Sequence, residues 1–147
     1  MVERHPLVVL GVDPGTLVTG YAVVARGARG KETLVAAGTI RNGSSQPIPS
    51  RLRRIYDGLA ALIAKHRPDE FAIESSFYGK NAQSALKLGQ ARGVSLLAAA
   101  LADVAITEYS PREVKRSVVG NGAASKQQVQ YMVRSILLID ERPLPLD

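Results

Sequence analysis

The chain has 147 residues, 46% hydrophobic and 22% charged, ordinary for one globular domain with a proper core. It has no cysteine, which excludes disulfides and thiolate-bound zinc and fits the cytosol. No run of about 18 apolar residues is present to span a membrane, and Met1-Val2-Glu3-Arg4-His5-Pro6 lacks the basic-then-apolar layout of a signal peptide. The net charge of +6 favours a polyanionic partner, whereas 5% aromatics and no Trp argue against a base-stacking platform.

Residues 7–12 read as a buried strand, 19–25 as a second and 33–40 as a third, a meander with Gly-containing connections. After a loop, Ser50 is expected to open a helix. Leu52, Ile55, Tyr56, Leu59, Leu62 and Ile63 recur at helical spacing, which leaves Arg51, Arg53, Arg54, Asp57 and Lys65 outside. Arg67-Pro68 ends the helix, and residues 71–73 form a short apolar strand. Asn81 caps a long helix to about residue 102, and 105–109 is strand-like. Ser110-Pro111 supplies a cap and first-turn proline for a helix over 112–118. Gly120-Asn121-Gly122 breaks it, and Ser125 caps a last helix with Val129, Met132, Val133, Ile136 and Leu137 on one face. The order βββαβαβαα predicts one α/β domain over 1–147, a mixed sheet flanked by helices with the first strand central.

Two acids stand where apolar strands stop. Leu7 to Val12 runs into Asp13-Pro14-Gly15-Thr16, and Phe71-Ala72-Ile73 runs into Glu74. An acid at such an exit must be solvated, paired or metal-bound. On neighbouring parallel strands the two would share one rim, about 5 Å apart. Paired carboxylates suit a divalent metal, and metal on carboxylates points to phosphate chemistry. Lys80, Lys87, Arg92 and Arg112 are candidate contacts for a nucleic-acid backbone, and the amides of 120–122 offer a further one. His5 and His66 read as surface residues. The helix near 81–102 has small and apolar residues on more than one face. One face meets the sheet, and the other, with Ala85, Leu86, Gly89, Gly93 and Leu96, suits a twofold helix pair.

Gly11-Val12-Asp13-Pro14-Gly15-Thr16 with Thr19-Gly20-Tyr21 resembles the opening of the RuvC-type Holliday-junction resolvases. Ala72-Ile73-Glu74 followed by Phe77, Lys80 and Asn81, and above all residues 84–93 (SALKLGQARG), continue the likeness. So do Val114-Lys115, Val118-Val119-Gly120, Lys126, Val129-Gln130 and Met132-Val133-Arg134, in order along essentially the whole chain. The resemblance implies a ribonuclease-H-like fold: a three-stranded antiparallel meander plus two parallel strands, flanked by helices. It implies a homodimer that resolves four-way DNA junctions by paired symmetric nicks, in bacterial recombination and repair, beside the RuvA–RuvB branch-migration complex. It also implies two Mg²⁺ ions per active site, with Mn²⁺ as a substitute.

By the same resemblance Asp13 and Glu74 match the first two metal ligands and Asp147 the third, while Lys115 and Lys126 match active-site positions near the scissile phosphate. Phe77, assisted by Tyr78, resembles a wedge at the crossover, and Asn81 belongs to the same DNA-facing tail. The fourth acid falls beyond Asp147, so this polypeptide is expected to lack the C-terminal helix, bind metal weakly and cut slowly. Two alternatives stand beside the nuclease. One is an actin-like phosphate-handling enzyme, from the Asp-Pro-Gly-Thr loop. The other is a junction-binding module without catalysis.

Overall fold

The computed structural model describes residues 5–75 and 81–137. Strands β1 (Leu7–Asp13), β2 (Val18–Arg26) and β3 (Glu32–Arg41) form the meander. Helix α1 (Ile48–His66), strand β4 (Glu70–Glu74), helix α2 (Ala82–Leu101), strand β5 (Ala105–Tyr109) and helices α3 (Pro111–Val119) and α4 (Lys126–Leu137) follow. The sheet order is β3-β2-β1-β4-β5, with β1 central as the pattern predicts. β1–β2 and β2–β3 are antiparallel, and β1–β4 and β4–β5 are parallel.

Alternation along the strands divides the sheet into two faces. Leu10 and Val12 of β1, Val23 of β2, and Phe71 and Ile73 of β4 form one core with Ile55, Leu59 and Ile63 of α1 and Ala91, Ala98 and Ala99 of α2. Phe71, Leu10, Ile55 and Leu59 are fully buried, each worth about 1.5–3 kcal/mol of burial. Arg67 ends α1 in the left-handed conformation, its N–H donating to Ile63 O. Asp69 then docks the start of β4 on β1. Its N–H donates to Val8 O, and its Oδ2 accepts from Val8 N–H, both at 2.8 Å.

Helix α1 starts at Ile48, two residues before Ser50, with Pro47 at its cap and Pro49 in its first turn. Proline is admitted there because first-turn amides have no partner within the helix. The expected caps of the later helices hold. Asn81 Oδ1 accepts from Ser84 N–H, Ser110 and Glu113 form a capping box, and Ser125 and Gln128 exchange the same two bonds.

Arg51 corrects the expectation of an outward side chain: it is only 8% exposed. Its Nε donates to Gln46 O at 2.7 Å and its Nη2 to Ser44 O, so the charge is satisfied by loop carbonyls instead of water. Asn42 completes the network. Its Nδ2 donates to Thr16 O and Arg51 O, and its N–H to Leu17 O. The loop before α1 is thereby fastened to the turn that follows Asp13. Arg51→Ala should lower stability by about 2–3 kcal/mol, because the carbonyls of Gln46 and Ser44 both lose a charged donor. Exposed Arg53→Ala should cost no more than about 0.5 kcal/mol. Urea unfolding compares the two, and equal losses would contradict the network.

Candidate active site

The register of β1 on β4 places Val12 beside Ile73. One step further along both strands, Asp13 comes abreast of Glu74, one strand spacing or about 5 Å between backbones. Both point away from the face carrying Leu10, Val12, Phe71 and Ile73. The two acids therefore share one face and one rim at the carboxyl ends of parallel strands.

The turn after Asp13 is held by hydroxyl chemistry. The buried Thr19 Oγ1 accepts from Gly15 N–H at 3.3 Å and donates to Gly15 O at 2.8 Å. A Cβ at Gly15 would fall 2.3 Å from Val18 O, so the close reversal requires glycine. On the other flank Asp13 pairs with Gly20, whose lack of a side chain leaves space beside the acid.

Glu74 is half-buried, and its backbone is held from two sides. Ser75 N–H donates to Tyr109 O at 2.7 Å, extending the ladder to β5. From α2, Arg92 Nη1 donates to Glu74 O at 3.1 Å while its Nη2 pairs with Glu108 of β5 at 2.6 Å. Arg92, a candidate DNA contact by sequence, thus spends its fork on positioning Glu74.

Helices α3 and α4 close the other side. A cavity of about 210 Å³ is lined by Glu74, Lys115, Lys126, Pro111, Val114, Val129 and Gln130. Lysines from two different helices are thus brought to the second acid. The Asn121 Oδ1 bond to Ala123 N–H and the left-handed Gly120, with φ of 87°, set the turn between the helices. Arg112 lays its stem over Gly122, where a Cβ would come within 2.6 Å of its Cγ. Lys87 stands exposed on α2, and Asn81 is occupied as a cap. His5 is exposed and His66 half-exposed. Asp147, Phe77, Tyr78 and Lys80 lie outside the described residues.

Helix α2 has an open side. Ala85, Gly89 and Gly93 are exposed, and so are Leu86 at 65%, Leu97 at 49% and Leu101 at 64%. Leu96, expected on that side, packs against the core, because it follows Ser95 in the buried stripe of Ala91, Ser95, Ala98 and Ala99. Leu97 takes the open position. Sequence reasoning also missed the burial of Arg51, though it stands four residues before Ile55 in the stripe of 55, 59 and 63, and it placed Thr19 in a motif without its role in closing the turn, since a hydroxyl carries no periodic signal.

Among the described residues no group of three or more His, Cys, Asp or Glu side chains is placed to hold a metal. Two adjacent carboxylates nevertheless fit a hard divalent ion. Mg²⁺ is commonly held by one or two carboxylates, with water and substrate phosphate oxygens completing its shell.

A mixed five-stranded sheet with acids at the carboxyl ends of its central strands defines a ribonuclease-H-like fold. The chain belongs to the family of crossover junction endodeoxyribonuclease RuvC, whose model matches residues 9–147. It is 47% identical to the RuvC of Chloroherpeton thalassium over 141 residues, which is 96% of this chain and 75% of that protein. It is 50% identical to the RuvC of Photobacterium profundum over 136 residues, 92% of this chain and 78% of that one. Thermus thermophilus RuvC, solved in complex with a Holliday junction substrate, superposes with a TM-score of 0.88 at 36% identity, covering 95% of this chain and 84% of that one. The yeast mitochondrial resolvase Ydc2, at 14% identity and a TM-score of 0.60, shares the fold. These relatives favour neither the actin-like reading nor the non-catalytic one. Arg92→Ala should slow DNA cutting roughly tenfold, as expected for the removal of one charge-assisted hydrogen bond, and Arg92→Lys should recover only part of it. Single-turnover cleavage measures this, and an unchanged rate would remove Arg92 from the positioning of Glu74.

Proposed function

We propose that this chain is a structure-selective endodeoxyribonuclease that resolves four-way DNA junctions by paired symmetric nicks. The observation that carries the proposal is the pairing of Val12 with Ile73, which brings Asp13 abreast of Glu74, together with the cavity that Glu74 shares with Lys115 and Lys126. The reaction adds water across a phosphodiester P–O bond. Divalent metal, as Mg²⁺ or Mn²⁺ with two ions per site, supplies an acidified water and charge stabilisation on the leaving oxygen when bound.

Asp13 and Glu74 hold that metal, with Asp147 as the third ligand. The fixed backbones of Asp13 and Glu74 mean little reorganisation is needed when substrate arrives. Lys115 and Lys126 offset the charge of the phosphodiester as point charges, which a pocket of carboxylates would otherwise repel. Phe77, with Tyr78 beside it, wedges against bases at the crossover, trading unstacking for a distorted strand. Lys80, Asn81, Lys87 and Arg112 serve as secondary contacts to the DNA backbone.

The open side of α2 pairs with a second copy of the chain. Leu86, Leu97 and Leu101 supply apolar area, and Gly89 and Gly93, with nothing within 4 Å of an added Cβ, allow close helix approach. A dimer matches the chemistry, because a junction needs two symmetric cuts. The chain acts in the bacterial cytoplasm as a single ribonuclease-H-like domain, beside the RuvA–RuvB branch-migration complex. No described helix is long and apolar enough to cross a membrane.

Asp13→Asn and Glu74→Gln should each reduce junction cutting by about a hundred- to a thousandfold, the scale of removing one electrostatic stabiliser of the transition state, while gel-shift binding of the junction persists. EDTA should abolish cutting and Mg²⁺ or Mn²⁺ restore it. Full cutting in EDTA, or joint loss of binding and cutting in a folded variant, would overturn the proposal. Leu97→Arg should shift the chain to monomer in sedimentation; an unchanged dimer would move the interface elsewhere.

A further inference from the structure

On the outer edge of β3, an open groove of about 620 Å³ runs between the strand and α1. Arg41 lines it from the strand end, and Arg53 and Arg54 from the helix, with Thr39, Ser50 and Gln46 as polar neighbours. Asp57 is the only carboxylate among the described residues of the lining. It meets Arg53 at 3.7 Å, but with side chains 64% and 86% exposed the pair is weak. Arg41 and Arg54 make no ion pair among the described residues. Three cations facing one anion leave a positive surplus. Arg51 does not add to it, because its guanidinium is buried on loop carbonyls.

The register fixes where this groove lies. Asp13 is abreast of Gly20, and Gly20 of Thr39, so Thr39 stands two strand spacings from Asp13, about 10 Å. β3 runs in the direction of β1, since both are antiparallel to β2. Arg41, two residues beyond Thr39, therefore projects the groove toward the rim that carries the acids.

We propose that the groove formed by Arg41, Arg53 and Arg54 binds backbone phosphate of a duplex DNA arm that leaves the junction past the β3 edge. The inference rests on the nuclease reading and extends it. Arg53 and Arg54 stand on α1, which packs on the sheet face opposite the acids, so the groove meets DNA that passes around the β3 edge and not the strand that is cut. Guanidinium forks suit phosphate, and phosphate contacts add affinity and orientation without reading sequence.

The test is junction binding across a salt series, with EDTA present to keep the DNA intact, for the wild type and for R41A/R54A. The wild type should lose affinity steeply with salt. The double variant should show a log–log slope smaller by about 0.9 for each phosphate no longer neutralised, hence about 1.8. R41K/R54K should recover most of the slope, because the charges remain. Circular dichroism melting should match wild type, since both side chains are exposed. An unchanged slope with unchanged affinity in a folded R41A/R54A protein overturns the groove and assigns its charges to another partner, such as an acidic protein surface. A wild type that neither binds nor cuts a junction overturns the nuclease reading itself and the groove with it. The two failures are distinct, because only the second appears without any substitution.

Discussion

The structure depends on the parallel pairing of β1 with β4. Residues 13 and 74 are 61 positions apart in the chain, yet four in-register pairs, Val9 with Glu70 through Val12 with Ile73, bring them to the same level of one sheet. Parallel neighbours need a crossover, and α1 supplies it. Because the side-chain period is two, the register that buries Leu10, Val12, Phe71 and Ile73 necessarily turns Asp13 and Glu74 to the opposite face. A one-residue slip would expose the core and bury the acids. Core packing and site geometry are one constraint.

Around that pairing the fold adds rigid supports from distant segments. Thr19 closes the turn after Asp13, and Asn42 ties that turn to the loop over which Arg51 is buried. Arg92 links α2 to the end of β4 and to β5. Gly93 follows Arg92 on the open side of α2, so the helix that positions Glu74 from one side presents its pairing surface on the other. Side chains that touch no substrate fix the backbones of both acids, which is how a small sheet presents carboxylates with little freedom.

Much of this was legible in the sequence, and the reasons are specific. Strand exits at Asp13 and Glu74 followed from apolar runs ending in an acid. The caps Asn81, Ser110 and Ser125 followed from side chains that satisfy first-turn amides. Element order followed from periodicity, with β1 central as expected. Less legible were residues whose role depends on three-dimensional neighbours. Arg51 reads as solvent-facing by type, whereas its position four residues before Ile55 puts it in the buried stripe; the acceptors that make burial tolerable come from a loop no pattern reveals. Arg92 reads as a surface cation until β4 and β5 are placed beneath it. Leu96 and Leu97 differ by one helical step, and only the packed direction of α2 decides which is open. The start of α1 came two residues early because Pro47 and Pro49 read as loop residues, although proline is well suited to a first turn.

The central claim is that the carboxylates of Asp13 and Glu74 together bind divalent metal. Manganese anomalous diffraction from crystals soaked in Mn²⁺ tests it most directly. A peak lying between the two carboxylates, absent from crystals of Asp13→Asn, is the predicted result. Manganese bound only elsewhere on the surface, with both carboxylates bare, would contradict the account.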